Sequence, residues 1–129
     1  MKKILFLITI LCVLTSCNAQ EEKGTVKLVP PTEFAQQMAN DKGQVIDVRT
    51  PKEFKAGHIE GAQNLHVYDK DFEQRVDKLK KDEPVYVYCK AGGRSAEAVD
   101  ILKAKGFTQV IELDGGMDAW NEAGKPVKQ

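Results

Sequence analysis

The sequence predicts one α/β domain: a central, mostly parallel sheet of about five short strands, flanked by helices on both faces. Three observations carry this expectation. Runs rich in β-branched and aromatic residues (45–48, 85–88, 110–111) alternate along the chain with segments whose apolar residues recur at three and four positions. The runs are apolar at successive positions, as strands buried on both faces are, rather than alternating with polar residues. A chain of 129 residues, 42% hydrophobic and 29% charged, fits one globular domain and argues against disorder.

Thr25 to Val29 reads as a short first strand. Pro31 suits the first position of a helix, whose stripe is Phe34, Ala35, Met38 and Ala39 before Asn40 to Gly43 stops it. Val45 to Val48 reads as a buried strand, and Thr50-Pro51-Lys52-Glu53 as a capping box that opens a short helix ending at Gly57. Gln63 to Leu65 is a brief strand, and Phe72, Val76 and Leu79 have helical spacing. Val85-Tyr86-Val87-Tyr88, bounded by Pro84, is the clearest strand. Ala98, Ile101 and Leu102 mark a helix from about Gly93 to Lys105, closed by Gly106. Val110 and Ile111 form another strand, and Gly115-Gly116 precedes a last short helix carrying Met117 and Trp120.

The amino terminus stands apart. Lys2 and Lys3 precede an apolar run over residues 4 to 14, too short for a spanning helix, which needs about 20 apolar residues, but of the length of a secretory signal. Leu14-Thr15-Ser16-Cys17 resembles a bacterial lipobox, which implies cleavage before Cys17 and its acylation. An ordinary signal cleaved after Ala19 is the alternative, since Cys17-Asn18-Ala19 also carries small residues. The expected organisation is a lipoprotein signal at 1–16, a lipidated Cys17 with a polar tether through Gly24, and a folded domain at 25–127. Residues 18 to 24 reach at most roughly 25 Å, so the domain would lie close to the membrane surface. It would be exported and face the periplasm or the cell exterior.

Processing of this kind leaves 17 basic against 19 acidic side chains. No basic surplus or aromatic-plus-basic stripe supports nucleic-acid binding. Cys12 would be discarded and Cys17 acylated, so Cys89 becomes the one free thiol of the mature chain. A lone cysteine in an exported protein is a flag for reactivity. The competing reading is a small buried core residue.

Local sequence favours reactivity. In Tyr88-Cys89-Lys90-Ala91-Gly92-Gly93-Arg94-Ser95 the cysteine follows a buried strand and precedes a helix. Ligands of open parallel sheets bind at such carboxyl ends. Gly92 and Gly93 allow the loop to turn its N–H groups inward. The helix start adds unpaired donors and the positive end of its dipole, and Lys90 and Arg94 add charge. Each favours thiolate over thiol, and the cradle suits an anionic sulfur species.

Here the sequence resembles the rhodanese family. Cys89 to Arg94 is similar to its six-residue active-site loop, cysteine first and arginine last. Asp47-Val48-Arg49-Thr50-Pro51-Lys52-Glu53-Phe54 with Gly57-His58-Ile59-Glu60-Gly61-Ala62-Gln63-Asn64-Leu65 resembles its upstream signature, and Asp114-Gly115-Gly116-Met117-Asp118-Ala119-Trp120 its closing one. The resemblance implies a sulfurtransferase that moves sulfane sulfur from a donor such as thiosulfate, through a Cys89 persulfide, to cyanide or a thiol, a protein thiol included. It implies no cofactor and no metal. Backbone N–H groups from Lys90 to Ser95 would hold the persulfide, Arg94 would brace the loop, and Lys90 would attract an anionic donor.

Two rival functions remain on the sequence: a rhodanese-fold binding or regulatory module with incidental turnover, and a thiol-dependent phosphatase or arsenate reductase. Related enzymes of the latter kind use a loop one residue longer, and here four residues separate Cys89 from Arg94. Asp47 and Arg49 are candidate supporting residues. Asp47 would accept bonds from the site region and Arg49 would pair with Glu53, or the two would belong to a structural ion-pair network. His58 and His66 read as packing rather than as bases, and the histidines and one free thiol lack metal-ligand spacing. Tyr86, Tyr88 and Trp120 read as core, and Lys78 to Glu83 as solvated surface.

Overall fold

A computed structural model describes residues 24–129; the expected signal, Cys17 and most of the tether lie outside the described residues. Five parallel strands form one sheet in the order β1-β5-β4-β2-β3. They are β1 (Thr25–Val29), β2 (Gln44–Asp47), β3 (Gln63–Asn64), β4 (Val85–Tyr88) and β5 (Gln109–Leu113). The helices are α1 (Pro31–Asn40), α2 (Pro51–Ala56), α3 (Phe72–Val76), α4 (Gly93–Ala104) and α5 (Gly116–Glu122).

The caps follow the local chemistry of the sequence. Pro31 opens α1, where a missing N–H costs nothing. Thr50 and Glu53 form the reciprocal capping box at the start of α2. Strand β3 ends one residue earlier than expected, at Asn64, and β5 extends past Val110 and Ile111 on both sides; three further boundaries differ from the sequence expectation. Strand β2 starts at Gln44 and ends at Asp47, because Gln44 N–H reaches the Pro84 carbonyl at 2.9 Å. Helix α3 stops at Val76, and Leu79 packs on the core from the turn beyond it. Helix α4 stops at Ala104, with Lys105 as its cap.

All four residues of β4 are fully buried, and their side chains alternate between two separate cores. Val85 and Val87 point into an aliphatic layer with Phe72, Val76, Ala98 and Leu102 under α3 and α4. Tyr86 and Tyr88 point into an aromatic layer with Phe34, Met117 and Trp120 under α1 and α5. Phe34 sits edge-on to Tyr86 and to Trp120, with ring centroids 5.6 and 6.2 Å apart. Each such buried side chain contributes on the order of 1.5–3 kcal/mol, which holds the helices to both faces. The chain runs outward from β2 to β3 and returns to β4, so the strand order reverses beside β4. A crevice outside the carboxyl ends is expected at such a reversal. The carboxyl-terminal tail closes on His58, whose backbone exchanges bonds of 2.9 and 2.8 Å with Lys128.

Candidate active site

Cys89 is the residue that follows β4, and strand parity turns its side chain toward the aliphatic layer beneath α4. It is only 1% exposed. Gly92, the N-cap of α4, has φ 126°, in the region that favours glycine. A side chain there would meet no atom within 4 Å, so the constraint is conformational rather than one of space. The turn aims the Gly92 N–H at Cys89 Sγ across 3.0 Å. Ser95, in the first turn of α4 and wholly buried, brings its hydroxyl within 3.4 Å of the same sulfur. That hydroxyl also lies 3.1 Å from the Gly92 carbonyl and donates to Glu112 Oε1 at 2.8 Å.

Two neighbouring elements set the shape of this loop. The start of α5 presses on its backbone: Met117 N–H donates to the Cys89 carbonyl at 2.9 Å and Asp118 N–H to the Lys90 carbonyl at 3.0 Å. With those carbonyls held by α5, the Gly92 N–H is left facing the sulfur. The approach needs Gly116, where a Cβ would lie 2.5 Å from both carbonyl oxygens and φ is 58°. From the other side, Arg94 makes a two-pronged bond to Glu53, at 2.7 and 2.9 Å. The Arg94 guanidinium, and next the Thr50 cap, hold the Glu53 carboxyl at about 2, below its ordinary 4.5. One glutamate therefore ties the cap of α2 to the loop around Cys89.

Two expectations about charge need correction. Lys90 does not stand free to attract a donor, because its Nζ lies 2.8 and 3.0 Å from the carboxylate oxygens of Asp118. Arg49 pairs with Asp47 rather than with Glu53, which Arg94 has taken. Asp47 receives the Arg49 backbone N–H, Nε and Nη2, and Arg49 Nη2 reaches the Gly57 carbonyl at 2.7 Å. Parity puts Asp47 on the aromatic side of the sheet, away from Cys89, and the Arg49 guanidinium lies 5.7 Å from the Tyr88 ring centroid. Both cations of the loop thus have carboxylate partners, while the Arg94 guanidinium still interacts with Cys89. The Gly92 N–H and the start of the twelve-residue helix α4 add to the positive influence on the sulfur. Ala91 and Gly93 are exposed and shape the loop through its backbone.

Sequence reading named Glu53 only as a cap and as a partner for Arg49, and it missed Glu112, Gly116 and Asp118 as parts of the site. For Gly116 a signal existed in the Gly115-Gly116 pair. Glu112 had one too: a carboxylate inside an otherwise apolar strand, Val110-Ile111-Glu112-Leu113. Among the other candidates, His58 stacks on Phe54 with centroids 3.8 Å apart, and His66 Nδ1 lies 3.2 Å from Asp69. Tyr86, Tyr88 and Trp120 are core residues. A hollow of about 760 Å³ lies on the aromatic side between Met38, Val45, Ile59 and Trp120 and does not reach Cys89.

These features define an α/β domain with a cysteine cradled between a strand end and a helix start, and comparison with known proteins gives the class its name. The rhodanese-like domain family matches residues 30–123, and this chain belongs to it. A prokaryotic membrane lipoprotein lipid attachment site matches residues 1–18. The chain is 42% identical over 79 residues to the uncharacterized protein YqhL of Bacillus subtilis, covering 61% of each chain, so it spans less than two thirds of that relative. It is 39% identical over 95 residues to the thiosulfate sulfurtransferase GlpE of Pseudomonas fluorescens, covering 73% of this chain and 84% of that one. A crystal structure of a rhodanese-related protein from Thermoplasma volcanium superposes with TM-score 0.71 at 27% identity, covering 79% of this chain and 97% of the other. The chain is thus a rhodanese-like domain protein whose first 18 residues match a lipoprotein attachment site.

Proposed function

We propose that this protein is a thiosulfate sulfurtransferase-like enzyme, in which the Cys89 thiolate takes a sulfane sulfur from a donor and passes it to a thiophilic acceptor. The observation that carries the reading is the Gly92 N–H aimed at Cys89 Sγ across 3.0 Å, in a loop with four residues between Cys89 and Arg94. In the first step Cys89 Sγ attacks the outer sulfur of thiosulfate. A new S–S bond forms, the old one breaks, and sulfite leaves with its electron pair. Cys89 then carries a persulfide, whose negative charge is held by the loop N–H groups between Lys90 and Ser95 and by the start of α4. In the second step cyanide or a thiol takes the outer sulfur and the thiolate is restored. Arg94, held by Glu53, braces the loop. Asp47 and Arg49 support the fold near the site without touching the sulfur.

The test uses the full-length protein with thiosulfate and cyanide, reading thiocyanate. Wild type should turn over and Cys89→Ser should not. Thiosulfate alone should add roughly 32 Da, one sulfur atom, to the Cys89 peptide. Absence of both thiocyanate and the added mass would sink the reading.

The address is part of the proposal. Residues 1–16 act as the signal, Cys17 is acylated, residues 18–24 form the tether and the folded domain from residue 25 faces the periplasm or the cell exterior. Two or more acyl chains hold firmly, since each buried methylene contributes about 0.8 kcal/mol. Cys17→Ala should move the protein from the membrane to the soluble fraction, and an unchanged membrane fraction would refute lipidation at that residue.

A further inference from the structure

We propose that Glu112 controls the protonation of Cys89 through Ser95: its carboxylate takes, by way of the Ser95 hydroxyl, the proton that the thiol must lose before it attacks a donor. This deepens the sulfur-transfer reading of the same site and rests on it only for what the thiolate then attacks. Glu112 lies on β5 and pairs in register with Val87. Parity points it to the aliphatic side of the sheet, the side Cys89 faces two residues beyond Val87. Helix α4 closes over both and inserts Ser95 between them. The resulting line runs Cys89 Sγ to Ser95 Oγ, 3.4 Å, and Ser95 Oγ to Glu112 Oε1, 2.8 Å. All three groups are shielded: Cys89 is 1% exposed, Ser95 0% and Glu112 8%.

A serine hydroxyl has one proton to give. Along this line it permits two complete arrangements. In one, the thiol donates to Ser95 and Ser95 donates to the carboxylate. In the other, the carboxylic acid donates to Ser95 and Ser95 donates to the thiolate. They differ by two proton hops: S–H breaks as a Ser95 O–H forms, and the former Ser95 O–H breaks as the Glu112 O–H forms. One negative charge passes from carboxylate to sulfur, and nothing is oxidised or reduced. The Gly92 N–H faces the sulfur in both arrangements and favours the second.

The surroundings of Glu112 suit a proton acceptor. Among the described residues no Lys, Arg or His lies within ion-pair distance of it. The groups that bear on it are Ser95 and Asp100 from α4 and Asp114 from its own strand end; Cys89, just after β4, reaches it through Ser95, and β1 offers only Leu28 at the paired position. Burial raises its affinity for a proton, the Ser95 bond works against that, and Asp114 and Asp100 add to it. A buried carboxylate with no cation is costly to keep charged. Ser95 offers it a route to the one acidic proton on the line.

The test is the pH profile of Cys89 alkylation by iodoacetamide in the full-length protein in detergent, followed by the mass of the Cys89 peptide. Two coupled groups sharing one proton give a pH-independent thiolate fraction between their two apparent ionisations. Wild type should therefore show a shelf of constant reactivity on the acid side of neutrality. In Glu112→Gln, which keeps the size and a bond to Ser95 but accepts no proton, the shelf should vanish and the rate fall about tenfold per pH unit. Ser95→Ala, with Glu112 intact, should lose the shelf as well, and it decides the matter if Glu112→Gln does not fold. A wild-type rate that falls steadily with no shelf, or a shelf that survives either variant, would overturn the proposal. The alkylation reads the thiol rather than sulfur transfer. A shelf in a protein that makes no thiocyanate would keep the relay and remove the sulfur-transfer reading.

Discussion

Two buried polar clusters lie at the carboxyl ends of the sheet, on opposite faces, and they are built differently. The Asp47–Arg49 cluster is closed. A carboxylate with no exposure meets a guanidinium, Nη2 to Oδ2 at 2.6 Å, and the guanidinium also caps the Gly57 carbonyl. The cluster of Glu112, Ser95 and Cys89 has no paired cation among the described residues, and its line of hydrogen bonds ends on the Cys89 sulfur. The first arrangement cancels its charges internally and can do little but hold the chain. The second leaves one proton with two places to go. A buried charge at a strand end is thus not by itself a sign of chemistry; what it points at decides.

The contrast can be broken most directly at Arg49. Arg49→Met leaves Asp47 buried without a partner and should cost about 3–5 kcal/mol, read by urea unfolding. Turnover per folded molecule should change little, and a variant of normal stability that no longer makes thiocyanate would move this pair into the site. Gly116→Ala comes next. It drives a methyl into the Cys89 and Lys90 carbonyls and imposes a positive φ, so it should cost about 2 kcal/mol or more and lower turnover together with stability.

Glu53→Gln should have a smaller effect, about 1 kcal/mol once solvent screening is allowed for. Its pH dependence has a definite sign. The folded carboxyl sits at about 2, below its ordinary 4.5, so its contribution is complete above the unfolded value and is lost as pH falls toward the folded one. Unfolding midpoints of wild type and variant should therefore converge on acidification through that window; a constant gap would detach the ion pair from the effect. The smallest change is expected at Asp118→Asn, which frees the Lys90 ammonium. The thiosulfate KM should fall about twofold at low salt, and the gain should disappear at high salt. An equal gain at all salt concentrations would mean that the loop had moved instead.

Much of this was legible before any coordinates. Val85 to Tyr88 announced a buried strand, Thr50 and Glu53 a capping box, and Cys89 before two glycines a turn from strand into helix, because each is a local pattern with a local physical cause. The same locality misled the reading of partners. Arg49 and Glu53 are near in sequence, yet Glu53 belongs to Arg94, which lies on a helix forty-one positions later.

What the sequence by itself determined is therefore the order of the elements, their caps, the burial of the strands and the identity of the thiol. All of these follow from hydrophobic period, backbone freedom and short-range hydrogen bonding. Only the tertiary structure decided which charges meet and which groups line up with the Cys89 sulfur. Those depend on strand order and on side-chain parity, which brings β5 beside β4 and turns Glu112, but not Asp47, toward the sulfur.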